Sequence, residues 1–220
     1  MANRVVLGLC GGFHAPQDTE GMLQISAQDA DLGEISAFVL GTAIPWAPLS
    51  AHALRQSLDQ ALSSSRPTRP ALALPLNPDL ILWAFSAGGV GAVALAHHWQ
   101  RYRGRVRAIF LVDGWGVPWA GAAPLHRISH DSFTHHSSRL LGAGRGNFVA
   151  DPAVPHLHLW RNPQTVMGWG DCPPTADPPG GTQPLTAAEF LTQWTRFYAR
   201  LDGASEGTAW GQEERRGGGR

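Results

Sequence analysis

The stretch Leu80–Trp99, "LILWAFSAGGVGAVALAHHW", joins an apolar segment to a segment of small residues, with Ser86 between them. Residues 80–85 have the length and the continuous apolar character of a buried strand. Residues 87–102 read as a helix whose glycines and alanines allow it to lie close to a sheet. The stretch therefore predicts a strand that turns sharply into a helix, with a single serine at the turn.

Three further apolar segments predict buried strands: Arg4–Leu9, Ile35–Leu40 and Val106–Val112. A segment with helical apolar spacing, residues 49–62, lies between the second of them and the serine stretch. Continuous apolar strands that alternate with helices are typical of a parallel sheet covered on both faces. We therefore expect an α/β fold, a three-layer αβα sandwich with a mostly parallel sheet and its ligand site along the carboxyl edge of the strands.

The length of the chain, 220 residues with 43% hydrophobic content, indicates one domain with a full core. We expect this domain to span residues 1–202, with an irregular or lid region at about 113–180. Residues 203–220 are rich in glycine and charge, which predicts a disordered tail.

The second half of the chain has a weaker secondary-structure pattern. The segment 126–142, "HRISHDSFTHHSSRLLG", is expected to be helical in part, and the alternating segment 154–160, "VPHLHLW", predicts a strand. Thr186 followed by Glu189 forms the pattern of a capping box and predicts the start of the last helix.

The charges exclude several classes of chemistry. Seventeen basic residues balance seventeen acidic ones, and every basic residue is arginine. Without lysine, Schiff-base catalysis, pyridoxal attachment and a P-loop lysine are excluded. A neutral chain without an apolar run of transmembrane length predicts neither nucleic acid as a partner nor stable membrane insertion. Its two distant cysteines, Cys10 and Cys172, favour a reduced cytoplasmic protein.

Ser86 has the sequence context of a nucleophile. A serine at a tight strand–helix turn is exposed above the sheet edge, where free N–H groups and the helix dipole stabilise an oxyanion. The residues 84–88, "AFSAG", match the G-x-S-x-G nucleophile elbow with alanine in place of the first glycine. The alternative is a serine that only caps the helix.

With this elbow, residues 4–112 and the last helix resemble the α/β-hydrolase superfamily in the order of their elements. The resemblance implies a compact α/β-hydrolase-like fold and a nucleophilic Ser86. A closer resemblance is to a group of small α/β-hydrolase-like proteins of cyanobacteria. It is carried by four segments: "AFSAGGVGA", "LVDGWGVP", "HRISHDSFTHHSS" and "FVADPAVPHLHLW". This closer resemblance implies no particular substrate.

The resemblance also implies an oxyanion hole with two backbone donors. One is the N–H of the residue after the nucleophile, Ala87. The second comes from a loop after an early strand, here the segment 10–16, "CGGFHAP", in which Gly12 or Phe13 is the expected donor. An ordinary Gly-Gly turn is the alternative for this loop.

Two aspartates are candidates for the acid of a Ser-His-Asp triad. In this superfamily the chain order is serine, acid, histidine. Asp113 directly follows the strand 106–112, which we expect beside the serine strand, and we prefer it on geometry and order. Asp151, in "ADPAVP", resembles the turn that carries the acid in many superfamily members.

The base is less well determined, because several histidines follow Asp113: His130, His135, His136, His156 and His158. We expect His135, since "HDSFTH" resembles a segment of the small cyanobacterial proteins. His156 is the alternative, which would pair with Asp151. The chain departs from the superfamily here, because no G-x-x-H segment near its end supplies a histidine.

These residues predict a serine hydrolase that cleaves a carboxylic ester or thioester of a small-molecule acyl substrate through an acyl-enzyme, with no cofactor and no metal. The first alternative is a non-catalytic binding or scaffold protein on the same fold. The second alternative is a metal site, because one segment contains four residues of types that ligate zinc: His126, His130, Asp131 and His135.

Overall fold

The computed structural model of the chain describes residues 4–28, 32, 35–41, 46–64, 77–142, 144, 146–175 and 180–201. Its strands are β1 (Val5–Cys10), β2 (Ser36–Leu40), β3 (Asp79–Phe85), β4 (Val106–Val112), β5 (Leu125–Ser129), β6 (Asn147–Ala150), β7 (Met167–Asp171) and β8 (Thr182–Thr186). Its α-helices are α1 (Pro16–Gln28), α2 (Ala51–Ser64), α3 (Gly88–Tyr102), α4 (Ser132–Arg139), α5 (His156–Arg161) and α6 (Ala187–Arg200).

The strands form one sheet in the order β2-β1-β3-β4-β5-β6-β7-β8. The pairs from β2 to β6 are parallel, and β7 and β8 pair antiparallel at one edge. The predicted α/β class with a mostly parallel sheet is confirmed. Because β2 and β3 pair with opposite sides of β1, the strand order reverses between β1 and β3, and ligand sites of open α/β sheets form at such a switch point.

Helices cover both faces of this sheet. Residues of α1, α5 and α6, among them Met22, Trp160 and Phe190, share one apolar cluster with β1, β3 and β4. Residues of α2 and α3, such as Leu54 and Leu95, form a second cluster on the opposite face. All residues of β3 and β4 are buried as a result, which explains their continuous apolar sequences.

Strands β1, β3 and β4 match their predictions as buried strands, whereas β2, at the edge of the sheet, is half-buried over most of its length. The second half of the chain is more regular than expected. The capping box of Thr186 and Glu189 is confirmed at the start of α6. The residues expected to be irregular carry β5, α4, β6, α5 and β7. Helix α1 had no counterpart in the sequence patterns, and the expected tail, 203–220, lies outside the described residues.

The strand predicted at residues 154–160 is wrong, because His156–Arg161 is the helix α5. Pro155, in the N-cap position, has the backbone geometry that precedes a helix. Leu159 and Trp160 then become buried side by side on the sheet. A short segment in which apolar and polar residues alternate is ambiguous between the two structures.

Both cysteines are buried free thiols, and burial raises the pKa of Cys10 to about 12. Among the described helices, none has the length and apolar character needed to span a bilayer.

The buried Arg127 fixes the loop that follows β4. Its guanidinium donates hydrogen bonds to four backbone carbonyls, those of Gly142, Gly114, Val117 and Leu141. Burial lowers the pKa of Arg127 to about 10, so the side chain stays charged at neutral pH. Since Gly114 follows Asp113 directly, this arginine helps to hold the carboxyl edge of β4 in place.

His126 is a neutral core residue that makes the fold sensitive to acid. Its Nδ1 lies 2.7 Å from the Gly146 carbonyl oxygen and its Nε2 lies 3.0 Å from the Tyr198 hydroxyl. Burial lowers the pKa of His126 from 6.5 to about 4. The native state therefore prefers the neutral ring, whereas the unfolded chain takes up a proton below pH 6.5.

We expect the free energy of unfolding to fall by about 3 kcal/mol through His126 as the pH drops from about 6.5 to 4. Urea unfolding of the wild type and of His126→Gln at several pH values measures this loss of unfolding free energy. The variant should be less stable at pH 7 and should lose less further stability on acidification. His97→Gln, at an exposed position of α3, is the matched control; equal slopes for the wild type and His126→Gln would contradict the assignment.

Candidate active site

Ser86 lies at the turn between β3 and α3 with a left-handed backbone conformation, φ = 51°. Such a φ is uncommon outside glycine and, when it occurs, clusters at functional sites. Its own N–H donates to the carbonyl of Val112 at the end of β4, at 2.9 Å. Helix α3 begins two residues later at Gly88, where a Cβ would collide with the backbone of Cys10 and Gly11. The predicted sharp strand–helix turn is therefore present, and it packs against the loop after β1.

Asp113 occupies the equivalent place on the neighbouring strand. It follows β4 directly, also has φ = 51°, and its side chain is fully buried. Its Oδ1 accepts the backbone N–H of His130 at 2.9 Å, and its Oδ2 accepts a hydrogen bond from Nδ1 of His156 at 2.8 Å. The buried carboxylate thus orients a histidine from the start of α5, which follows β6 at the same edge.

His156 is the first residue of α5, which follows β6. Its ring stacks on that of Phe85, the residue before Ser86, with centroids 4.6 Å apart. Its side chain is 43% exposed, and its Nε2 has no hydrogen-bond partner among the described residues. With Nδ1 bonded to the Asp113 carboxylate, Nε2 is the nitrogen left free to accept a proton. Ser86, Asp113 and His156 therefore follow β3, β4 and β6 at one edge of the sheet.

Phe85 lies at the centre of a group of aromatic rings that includes His156. Its buried ring stacks on His156 on one side, contacts Trp160 at a centroid distance of 5.2 Å, and meets His14 edge-on at 5.3 Å. Aromatic contacts of this kind restrict the orientation of a ring beyond what burial alone does. The strand residue next to the serine therefore helps to position the histidine.

Polar contacts join α5 to α1 and so restrain the helix that carries His156. Nε1 of Trp160 donates to the Thr19 hydroxyl at 3.3 Å. The Arg161 guanidinium donates two hydrogen bonds to the Asp18 carboxylate, at 2.6 and 2.9 Å. These bonds lower the pKa of Asp18. Because the pair is exposed, its contribution is to the position of α5 more than to stability.

His130 connects the loops after β4, β5 and β6. Its N–H donates to Asp113, and its carbonyl accepts the N–H of Val154 at 3.0 Å. Its Nδ1 lies 3.0 Å from Asp113 Oδ2, but the two atoms are not aligned for a hydrogen bond. The sequence placed His130 only among five possible bases. Recognising "LHRIS" as a strand would have located it at the carboxyl edge.

The loop after β1 lies beside Ser86, as the resemblance implied. A Cβ on Gly12 would lie 3.2 Å from the Ser86 Cβ. However, the Gly12 N–H donates to Nε2 of His14 at 3.0 Å, so the expected donor is engaged within its own loop. The N–H groups of Phe13 and Ala87 have no acceptor among the described residues, and they are the two predicted donors that stay available.

His135, the expected base, lies in the middle of α4 and makes no hydrogen bond or ion pair with Asp113 in the described part of the chain. Its Nδ1 is buried without a hydrogen-bond partner. Burial, followed by the charges of Arg139 and His136, lowers the pKa of His135. It is an interior position of a helix that runs away from the edge where Asp113 lies.

Asp151, the alternative acid, accepts a hydrogen bond from Nε1 of Trp169 at 3.2 Å. The described residues contain no contact between its carboxylate and His156. The two pairings considered from the sequence were Asp113 with His135 and Asp151 with His156. The fold joins the acid of the first pair to the histidine of the second.

The sequence suggested a metal site at His126, His130, Asp131 and His135. These four residues do not form one cluster in the structure. His126 is in a strand and uses both nitrogens inside the core. Asp131 is the N-cap of α4, where it accepts the Thr134 N–H. A different set brings one ligand atom each within 4.8 Å of the others: Asp113, His130 and His156.

Fold and site together define an α/β protein with one mostly parallel sheet and a serine, an aspartate and a histidine at its carboxyl edge. A comparison of the chain with family models and with curated proteins finds no match. The function of the protein is therefore inferred from the geometry of this site.

Proposed function

We propose that the protein is a serine hydrolase that cleaves a carboxylic ester or thioester with Ser86 as nucleophile, His156 as base and Asp113 as acid. One observation carries the proposal. The strained serine at the switch point shares its sheet edge with a histidine whose Nδ1 is bonded to a buried carboxylate. The chain order of serine, aspartate and histidine is also that of the α/β-hydrolase superfamily.

In this mechanism the Ser86 Oγ attacks the acyl carbonyl while Nε2 of His156 takes its proton. Asp113 keeps the other imidazole proton on Nδ1 and stabilises the imidazolium. His156 then protonates the departing alcohol or thiol, and the acyl group stays on Ser86. Water, deprotonated by the same nitrogen, releases the acid and restores the serine. The N–H groups of Ala87 and Phe13 receive the oxyanion in both steps.

The backbone also supports a catalytic role over a binding role. Left-handed φ values at both Ser86 and Asp113 cost on the order of 1–3 kcal/mol each. A scaffold protein has no use for this strain, whereas a nucleophile and its acid need side chains held at fixed positions above the sheet edge.

The proposal extends to the fold family, the substrate class and the cellular location of the protein. We infer a compact α/β-hydrolase-like fold, related to the small cyanobacterial proteins, from the strand order around β1 and β3 and from the elbow at Ser86. A small-molecule acyl compound is the proposed substrate. A cytoplasmic location agrees with two buried free thiols, Cys10 and Cys172.

A fluorophosphonate probe tests the proposal without knowledge of the substrate, because it reacts with an activated serine. We expect one probe per folded chain, mapped by peptide mass spectrometry to Ser86. Heat-unfolded protein, in which the histidine and carboxylate have separated from Ser86, and the Ser86→Ala variant measure background labelling. Folded wild-type protein that takes up no probe would refute the hydrolase and favour the binding protein.

A further inference from the structure

The side chain of His130 faces Asp113 in a way that the triad does not require. Its Nδ1 is buried, lies 3.0 Å from Asp113 Oδ2 and makes no hydrogen bond. The same oxygen already accepts the Nδ1–H of His156. A second imidazole nitrogen at this distance therefore needs its own explanation.

A neighbouring carboxylate favours a particular tautomer of His130. Its Nε2 lies 3.4 Å from Asp131 Oδ2, so the imidazole proton is favoured on Nε2. Nδ1 is then unprotonated, and this buried nitrogen lies 3.0 Å from a negatively charged oxygen of Asp113 without a proton between them. A cation between these two atoms removes their electrostatic repulsion. A carboxylate that orients the outer nitrogen of a ligating histidine is the usual second contact at zinc sites.

The three side chains have the composition and spacing of a zinc site. One donor atom from each of Asp113, His130 and His156 lies within 4.8 Å of the others. Two imidazoles and one carboxylate are ligands that zinc accepts, with the fourth position open. Tetrahedral bonds of about 2.05 Å separate ligand atoms by about 3.3 Å. The observed 2.8 and 3.0 Å separations from Asp113 Oδ2 thus require an expansion of only a few tenths of an ångström.

The site lies near the surface of the protein. The Asp113 side chain is fully buried, but those of His130 and His156 are 22% and 43% exposed. The two rings therefore form the solvent side of the site, and the carboxylate closes its inner end. Two of the three donor atoms are nitrogens, which disfavours Mg²⁺ and Ca²⁺ because these ions take oxygen ligands.

We propose that Asp113, His130 and His156 bind Zn²⁺ and that the bound ion switches the enzyme off. The inhibitory part rests on the proposed function. Zn²⁺ takes the Nδ1 lone pair of His156, so the single proton of the neutral ring moves from Nδ1 to Nε2. That nitrogen can then no longer accept the Ser86 proton. The ion also occupies the Asp113 oxygen that orients the base in the active state.

Calorimetric titration of the metal-free full chain with ZnCl₂ tests the site itself. We expect one Zn²⁺ per chain. Affinity should fall by more than about 100-fold in His130→Ala, since loss of a direct ligand exceeds the usual cost of losing an outer contact. His156→Ala, which removes a second ligand, should weaken binding similarly and guards against a folding defect in the first variant. His158→Ala, on the same helix, is the matched control with unchanged binding.

Fluorophosphonate labelling of the same proteins tests the switch. Saturating Zn²⁺ should slow labelling of the wild type at least tenfold, a chelator should restore it, and His130→Ala should label equally with and without the ion. Equal Zn²⁺ affinity in the wild type and both ligand variants would overturn the site. Unchanged labelling of zinc-loaded wild type would overturn the switch. A wild type that binds Zn²⁺ but never takes up the probe refutes the hydrolase and its inhibition, and leaves the metal site supported.

Discussion

Replacement of His156 by alanine is expected to slow fluorophosphonate labelling of Ser86 by about four orders of magnitude. The variant lacks the nitrogen that takes the serine proton in the proposed mechanism, so only the small fraction of spontaneously ionised hydroxyl should react. Asp113 retains its hydrogen bond from the His130 backbone, and the elbow itself is unchanged. The measurement is the second-order rate constant of labelling at neutral pH.

His135→Ala is the matched control, because it removes a histidine from the neighbouring helix α4 that has no contact with Asp113 among the described residues. Its rate should stay within about twofold of the wild type, as expected for a substitution away from the reacting groups. The reverse result, a slow His135→Ala and a fast His156→Ala, would restore His135 as the base. A folded state of both variants is checked by circular dichroism.

Asp113→Asn is the second substitution with a large expected effect, a loss of about 10⁴-fold in labelling rate. The carboxylate accepts two hydrogen bonds, from the His130 N–H and from His156 Nδ1. An asparagine amide can accept only on its oxygen, so its NH₂ group faces one of these donors. If it faces His156, the imidazole is driven to the tautomer with the proton on Nε2, which cannot act as a base.

Asp151→Asn provides the control for this experiment, since its carboxylate is exposed and, within the part of the chain that the structure describes, accepts a hydrogen bond from Trp169 alone. An asparagine oxygen accepts that bond equally well, and the labelling rate should not change. Comparable losses in Asp113→Asn and Asp151→Asn would show that the two acids act together. A loss in Asp151→Asn alone would make Asp151 the acid.

The first half of the fold is readable from the sequence because its signals are local. Strands β1, β3 and β4 are continuous apolar segments, and their burial on both faces of the sheet produces that pattern directly. The turn at Ser86 is equally local, since the serine, the small residues around it and the flanking strand and helix are contiguous. Asp113 could be placed beside it because parallel strands that end together bring their next residues to one edge.

The second half is harder to read because polar residues there are buried with distant partners. Strand β5 contains His126 and Arg127, which break its apolar pattern. They are tolerated inside because Tyr198, Gly146 and the carbonyls of two loops satisfy them. Helix α5 is six residues long, too short for its period to be distinguished from strand alternation.

The sequence by itself determined the α/β class, the parallel strands around β3, the sharp turn at Ser86 and the position of Asp113 directly after β4. Only the tertiary structure decided which histidine lies beside Asp113, because Asp113 and His156 are 43 residues apart and meet through the stacking of His156 on Phe85 and the bonds of α5 to α1. The Gly12 amide was likewise assigned to His14 by a loop closure that composition does not reveal. Contacts of this kind depend on which elements pack together, and no local pattern of residues encodes that choice.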